Sequence, residues 1–554
     1  MIRRLRPSTG IAWAVVSSIL IAIMVFAVAW PVGRLFLGSI IDVATGRPSI
    51  AAYQAFIDSR TGLASLGNTL LLGIAVTAAA LVLGTMLAVI VTRLDFPGRR
   101  VIAFLPIATL VIPDVVAAQA WIQLLGNNGL LTRQAGALGL SLPGFYGWFG
   151  MIWVMTLQQY AYVYLIAGAA VQKADASLED AAASLGSAPR RVLRTVTLRL
   201  LVPALVMGAL VVFAHAIDNF GIPAILGHRV PVLSVAAYDA FVNELGDEPL
   251  LQSSLASILL LLGVLVLLVQ RQVVAMSDVR VPGRSAPRPM ALRPGTAALT
   301  TIVAGAVVAA TLVPVFVILV TSVTATSGPV VHYGSFSLDN WVALAPKIQP
   351  LLVNSLMLAS AATAAGLVFV VLGAYVVVRI GGVFGLAVDL LTLLPLMVSG
   401  TVLGISLIQS YNTGPIVLTG TPVIMIMAYA ARRVPLGLKA VAATLATIPE
   451  SVEEASQSLG VPPFRTFAKV LVPLMLPGIA AAGVLIWVTT LSELSATIVL
   501  YYGGMSTLPI EIFQQVDSGR MGAASVLGVV LLAVIFVPLG IARGFFGVDP
   551  FRSA

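Results

Sequence analysis

The stretch SLEDAAASLGSAPRR, residues 177–191, is short, charged and interrupted by Gly and Pro, and it stands between two long apolar runs. A simple turn would have been enough to reverse the chain at this point. About eight residues instead separate Ser177 from Gly186, a residue type that suits the end of a helix. We therefore predict a separate two-turn helix here, whose purpose the rest of the chain has to explain.

The composition places this chain in a lipid bilayer. Of its 554 residues, 59% are hydrophobic and only 10% are charged, whereas a soluble chain carries about 25% charged residues. Cys is absent, which excludes disulfides, thiolate metal sites and Cys nucleophiles. The net charge of +9 would suggest nucleic acid for a soluble protein. In a membrane protein we expect these basic residues to mark topology and to contact anionic lipid, with no nucleic-acid partner.

Apolar runs of the length that a bilayer requires, about 20 residues, occur six times in each half of the chain. The predicted spans are 11–38, 66–92, 101–125, 147–171, 200–226, 252–270, 298–322, 352–378, 384–410, 421–445, 475–500 and 523–542. The first run follows three arginines, but it is too long for the apolar part of a signal peptide and lacks a clear cleavage site. We therefore predict an all-α polytopic membrane protein with about twelve transmembrane helices.

The distribution of Lys and Arg predicts the orientation of the spans. With the N-terminus in the cytoplasm, 24 of the 31 basic residues fall in cytoplasmic segments, among them five in 432–469. Basic residues are concentrated on the cytoplasmic side of membrane proteins. Both termini and the stretch 177–191 are therefore predicted to be cytoplasmic.

The opening stretch is repeated later in the chain. Residues 451–465 read SVEEASQSLGVPPFR, and a shift of 274 gives eleven identities over the 27 positions of 177–203. Both copies lie between the fourth and fifth span of their half, which indicates a parallel duplication. The predicted domains are 1–275 and 297–554, joined by a Pro- and Arg-rich cytoplasmic linker at 276–296.

Each copy carries the signals of a short helix. Ser177 with Asp180, and Ser451 with Glu454, have the spacing of a capping box at the start. Gly186 and Gly460 then suit the left-handed residue that ends a helix. Between these signals lies a narrow apolar stripe, formed in the two copies by Leu178, Ala181, Ala182 and Leu185, and by Val452, Ala455, Ser456 and Leu459. So short a helix is marginal alone, so it packs either on the protein's own membrane helices or on a partner.

The pattern D/E-A-A/S-x-x-x-G with a Val ten residues after the Gly resembles the EAA motif of ABC-importer permease subunits. It reads Glu454-Ala455-Ser456 with Gly460 in the second copy, and Asp180-Ala181-Ala182 with Gly186 in the first, where Arg199 replaces the usual Pro. The resemblance implies two fused permease domains, each with a cytoplasmic coupling helix, at 177–186 and 451–460, that inserts into an ATPase subunit. The implied coupling residues are Ser177, Glu179, Asp180, Ala181, Ala182, Leu185, Gly186, Ser451, Glu453, Glu454, Ala455, Leu459 and Gly460.

The chain lacks the pattern G-x-x-x-x-G-K-[ST] that cradles nucleotide phosphates. We therefore expect a translocation pathway without enzymatic activity or a bound cofactor. The resemblance implies that ATP and Mg²⁺ are held by two copies of a separate ATPase subunit.

Polar residues inside apolar spans are candidates for the transport pathway, because they are costly in a membrane. Asp114 follows Pro113, so it either lines the pathway or caps a helix that is broken at the proline. Asn219 aligns with Glu493 across the repeat, which suggests a shared place on the central axis where the two halves meet. The predicted pathway residues are Asp114, Asp218, Asn219, Ser492 and Glu493. The spacing of the three His residues supports no metal site.

Two stretches, DNFGIPAILG at 218–227 and the one beginning ELSATIVLYYGG at 493, resemble more narrowly the fused permeases of ferric-iron importers. Thiamine and 2-aminoethylphosphonate importers have similar permeases. The resemblance implies a bacterial cytoplasmic membrane and a binding protein that delivers the cargo, ferric iron first among the candidates. The predicted external loop 227–250 is either solvated or a docking surface for that protein. A twelve-helix ion-coupled secondary transporter remains an alternative, with Asp218 and Glu493 as the candidates for its relay.

Overall fold

The computed structural model describes residues 7–41, 46–173, 176–242, 249–276 and 290–546, which are almost entirely α-helical. In the part of the first half that it describes, the helices are α1 (Pro7–Met24), α2 (Trp30–Ile40), α3 (Ala51–Asp58), α4 (Arg60–Arg93), α5 (Arg99–Thr109), α6 (Asp114–Leu125), α7 (Leu130–Ala137), α8 (Trp148–Lys173), α9 (Ala176–Ser184), α10 (Pro189–Val192), α11 (Leu198–Asp218), α12 (Gly221–Leu226), α13 (Leu233–Val242) and α14 (Pro249–Met276).

The second half repeats this order without the short helices that follow α2 and α6. Its helices are α15 (Pro294–Ser322), α16 (Asp339–Tyr375), α17 (Gly382–Met397), α18 (Gly400–Tyr411), α19 (Pro422–Thr447), α20 (Glu450–Ser458), α21 (Pro463–Thr466), α22 (Val472–Leu491), α23 (Thr497–Leu500), α24 (Leu508–Asp517) and α25 (Met521–Phe546). Single π-helical turns cover Val25–Ala29, Leu193–Thr197, Val376–Ile380 and Phe467–Leu471. The second and fourth of these turns are separated by 274 residues, as are the starts of α9 and α20, so the duplication extends to backbone irregularities.

Four short strands accompany the helices. Strand β1 (Leu94–Asp95) pairs in parallel with β2 (Met290–Ala291), which ties the start of the second half to the end of α4. Strands β3 (Thr324–Ser327) and β4 (Val330–Phe336) form an antiparallel hairpin after α15. Much of the predicted linker 276–296, namely 277–289, lies outside the described residues, and its boundaries stay a prediction.

The helices confirm the predicted all-α membrane fold. Among the described residues, nine helical segments are long and apolar enough to cross a membrane, or up to eleven if two bent helix pairs each count as one span. The remaining predicted span, 421–445, is the helix α19, which carries Arg432 and Arg433 near its middle. Two adjacent arginines make this segment less apolar than the other spans.

The spans predicted at 101–125 and 384–410 are not straight helices. Each is a helix pair, α5 with α6 and α17 with α18, bent by 108°. The chain turns where Pro113 and Ser399 adopt extended backbone conformations, with ψ of 140° and 149°. The Ser399 hydroxyl caps α18 by accepting a hydrogen bond from the amide of Val402. Each bend therefore brings a helix N-terminus into the interior of the bundle.

The first helix of each half packs against the other half. In α1, the Trp13 ring lies 4.3 Å from Tyr375 and 5.2 Å from Phe467, and α2 contacts α18. In α15, the Thr321 hydroxyl donates to the Gln123 side chain of α6 over 2.7 Å. The exchange is reciprocal, so the interface between the halves is built from interlocked helices.

Candidate functional site

The short helices α9 and α20 begin one residue earlier than predicted. Ser177 and Ser451 therefore lie in the first helical turn. The capping box predicted in the second copy is wrong, and the one in the first copy stays a prediction. In the second copy the N-cap is Pro449, which has no side-chain oxygen to offer. Its φ of −62° and ψ of 143° set the helix start. The negative charges of Glu450 and Glu453 in that first turn instead interact favourably with the positive end of the helix dipole. The predicted role of the Asp180 side chain lies outside the described residues.

The ends of both short helices agree with the prediction. Gly186 and Gly460 have φ of +80° and +81°, the left-handed region that favours glycine. The amides that follow them, of Ser187 and Val461, donate to Ala182 and Ser456 over 3.1 and 3.2 Å, which closes each helix in a Schellman motif. The leucines just before the glycines, Leu185 and Leu459, are 87% and 84% exposed. An apolar side chain therefore projects from the same place in each copy.

One glutamate in each short helix points to the protein's own membrane helices. Glu179 accepts hydrogen bonds from Arg93 and Thr197, each over 2.7 Å. Glu453 accepts from Arg379 over 2.6 Å and from the Tyr375 hydroxyl over 3.1 Å. Both arginines lie at the end of the corresponding span, one in α4 and one in the π-helical turn after α16. These two glutamates, predicted as coupling residues, therefore anchor the short helices.

Two buried arginines in α19 were missed as site residues. The topology count assigned Arg432 and Arg433 to a cytoplasmic segment, whereas their side chains are 10% and 18% exposed inside the bundle. The available signal was a pair of adjacent arginines within a predicted span. In the register of the repeat they correspond to Gln158 and Gln159, so the two halves carry different charges at this position.

The arginines form an ion-pair cluster across the two halves. Arg432 contacts Asp218 over 3.1 Å and Glu493 over 3.4 Å. Arg433 donates to the same oxygen of Glu493 and to the Thr489 carbonyl. Charges are tolerated in a membrane interior when they are paired, and these four carry no net charge together. Asp218 and Glu493, both predicted as pathway residues, therefore meet at Arg432, while their part in the pathway stays a prediction.

Of the other predicted pathway residues, Asp114 and Asn219 contact each other, whereas Ser492 forms a hydrogen bond within its own helix. The Asn219 amide donates to the Asp114 carboxylate over 2.7 Å, and the Asn219 oxygen accepts from the amide of Ile222. Asp114 is the first residue of α6. Ser492, in contrast, bonds back to the Val488 carbonyl of its own helix.

Two cavities adjoin the ion-pair cluster. One of about 260 Å³ is lined by Asp218, Arg432 and Arg433. The other, of about 70 Å³, is lined by Asp114 and Asn219. His215 contributes to both walls. Within the described residues there is no group of three or more His, Asp or Glu side chains placed to hold a metal ion.

The comparisons with known proteins match the duplicated architecture. The family model described as "Binding-protein-dependent transport system inner membrane component" matches twice, at residues 80–276 and 369–547. A ferric transport system permease protein, FbpB, of Actinobacillus pleuropneumoniae is 26% identical over 537 residues, covering 93% of this chain and 76% of the relative. A putative ferric transport system permease, FbpB 1, of Haemophilus influenzae is 27% identical over 511 residues, covering 90% and 79%. The putative 2-aminoethylphosphonate permease PhnV of Salmonella typhimurium is 29% identical over 141 residues, 26% of this chain and 53% of the relative.

Proposed function

The chain belongs to the family of binding-protein-dependent transport system inner membrane components, and from that premise we propose that it forms the membrane pathway for ferric iron. As a member of the family it is a multi-pass inner-membrane permease of an ABC importer. An ion-coupled secondary transporter, the alternative left open by the sequence, is thereby excluded. The observation that carries the proposed cargo is that similarity to ferric permeases extends over about nine-tenths of the chain.

The match to the 2-aminoethylphosphonate permease is confined to 26% of the chain. It therefore supports a shared permease module more than a shared cargo. Thiamine and 2-aminoethylphosphonate remain the alternative cargoes. The segment 227–250, predicted as a loop, contains the helix α13 and the start of α14. It is proposed to receive the binding protein, although 243–248 lies outside the described residues.

We further propose that α9 and α20 are the docking helices for two ATPase subunits. The exposed leucines at 185 and 459, the matching backbone around them and the absence of a phosphate-binding loop from the sequence support this assignment. The proposed domains are 1–275 and 297–554, with both termini and the linker 276–296 in the cytoplasm. The excess of basic residues on that side persists when the two buried arginines are removed from the count.

The experiment reconstitutes the full chain, its ATPase subunit and its binding protein in liposomes. We expect ATP-dependent uptake of radioactive iron from the ferric-loaded binding protein, and co-purification of the ATPase with the chain. The chain alone is expected to show no ATPase activity. Uptake of 2-aminoethylphosphonate or thiamine in place of iron would refute the proposed cargo, and ATP hydrolysis by the chain alone would refute the proposed division of labour.

A further inference from the structure

The smaller cavity beside the ion-pair cluster is lined by an unusual set of side chains for a membrane interior. It lies in the first half, between the bend that joins α5 to α6, the middle of α8 and the end of α11. The side chains that converge on it are those of Asp114, Gln158, Gln159, Tyr162, His215 and Asn219. All six carry oxygen or nitrogen atoms that can bind a polar ligand.

One of these groups, the side-chain oxygen of Gln159, is buried without a hydrogen-bond partner among the described residues. The residue is only 4% exposed. Its neighbour Gln158 is occupied, because its amide donates to the Ile112 carbonyl over 2.9 Å. Buried polar atoms are almost always satisfied by protein or by ordered water, so this unpaired acceptor leaves a contact at the wall of the cavity for water or for a ligand that replaces it.

The surrounding groups are held in place by contacts with one another. The Asn219 amide fixes the Asp114 carboxyl group, and the Tyr162 ring stacks on His215 with 4.7 Å between ring centroids.

The volume limits the ligand. About 70 Å³ holds roughly two water molecules, which suits a metal ion with some of its water but not thiamine. Carboxylate and amide oxygens suit hard cations, and imidazole suits iron. In the second half, the positions of Gln158 and Gln159 carry Arg432 and Arg433, so the two amide side chains at this wall belong to the first half.

We infer that this cavity is a transit site for the imported metal ion, a hard cation such as ferric iron. Asp114, Tyr162 and His215 supply ligand atoms, the Gln159 oxygen completes the set, and Asn219 positions the carboxylate. The inference rests on the proposed function, since it concerns the same cargo on its way through the membrane.

The test measures iron uptake by the reconstituted full importer with its ferric-loaded binding protein. Asp114→Asn and Tyr162→Phe each remove one ligand group with little change in shape, and we expect the initial rate of iron uptake to fall about tenfold or more, as is typical when a metal site is perturbed. Tyr160→Phe is the matched control. It removes a phenolic hydroxyl group from the same helix, α8, but Tyr160 does not line the cavity. It is expected to import iron at the wild-type rate, and all three variants are expected to retain ATP hydrolysis stimulated by the binding protein.

The outcomes separate the site from the proposed function. If both cavity variants import iron at the wild-type rate, the transit site is refuted and the proposed cargo is not. No iron uptake by the wild type would overturn the cargo and the transit site together. Variants that fail to assemble with the ATPase are tested by a direct titration of the detergent-purified full chain with Tb³⁺. This hard trivalent ion emits light when it is excited through a nearby tyrosine. We expect saturable emission that needs about tenfold more Tb³⁺ in Asp114→Asn, and identical titrations would overturn the site.

Discussion

At the scale of single residues, the acidic side chains of the short helices take different orientations at adjacent positions. Glu453 is buried and bonded to Arg379 and Tyr375, whereas Glu454, the next residue, is exposed. The first half repeats the inward contact with Glu179 on Arg93. The residue before the motif acid is thus the anchor that ties each short helix to the end of a membrane helix.

Replacing Glu453 by Ala should destabilise the protein markedly. Both side chains of the pair with Arg379 are 10% exposed, and removing one partner of a buried ion pair costs about 3 kcal/mol because the other charge stays buried. The free energy of unfolding in detergent micelles, followed by denaturant titration, measures the effect. Ser451→Ala, at an exposed position of the same helix, is the control and should change it by less than about 0.5 kcal/mol. Equal losses from the two variants would contradict the anchor.

The ion-pair cluster predicts unequal sensitivity of its two carboxylates. Glu493 is 4% exposed and faces both arginines, while Asp218 is 32% exposed and faces one. Neutralising Glu493 as Gln therefore leaves more buried, uncompensated positive charge than Asp218→Asn does. We expect a clearly lower midpoint of thermal unfolding for Glu493→Gln than for Asp218→Asn. A lower midpoint for Asp218→Asn than for Glu493→Gln would show that burial does not decide which carboxylate stabilises the protein more.

At the scale of elements, the exposed leucines at the ends of the short helices α9 and α20 are expected to contact the ATPase subunits. Leu185→Asp and Leu459→Asp each place a charge on a side chain that is already exposed, so folding should be unaffected while an apolar interface would lose about 1–3 kcal/mol. Co-purification of the ATPase measures this directly, and we expect it to fall at least tenfold when both changes are present.

The control for these changes is Leu138→Asp, at the end of α7, which alters a leucine that is 78% exposed far from the short helices in sequence. It should leave ATPase binding unchanged. Undiminished ATPase recovery with the double variant would contradict docking through these leucines.

Elements that depend on local chemistry were predictable from the sequence, and those that depend on packing were not. Gly186 and Gly460 ended their helices as predicted, because a left-handed residue is a local requirement that glycine meets. The start of α20 was placed one residue late, since Pro449 sets the backbone before Ser451 can act as a cap. The partners of Arg432 lie 214 residues away at Asp218 and 61 away at Glu493, and no periodicity reports such contacts.

At the scale of the whole molecule, the duplication has preserved the backbone while changing the central charges. The short helices and the π-helical turns after them recur at the same spacing in both halves. The equivalent positions in α8 and α19, however, carry two glutamines in one half and two arginines in the other. A single chain allows this, because the two halves of a fused permease vary independently, whereas two copies of one subunit would place the same charge on both sides of the axis.

The exchange of first helices predicts that the halves stay together without a covalent link. The test cuts the chain at a protease site inserted within 277–289, between α14 and β2. The two fragments are expected to co-elute in detergent, because α1 packs on α16 and α17 while α15 packs on α5 and α6. Size-exclusion chromatography with gel analysis measures this, and the uncut chain with the same insertion is the control. Fragments that separate after cleavage would show that the linker, and not the interlocked helices, holds the halves together.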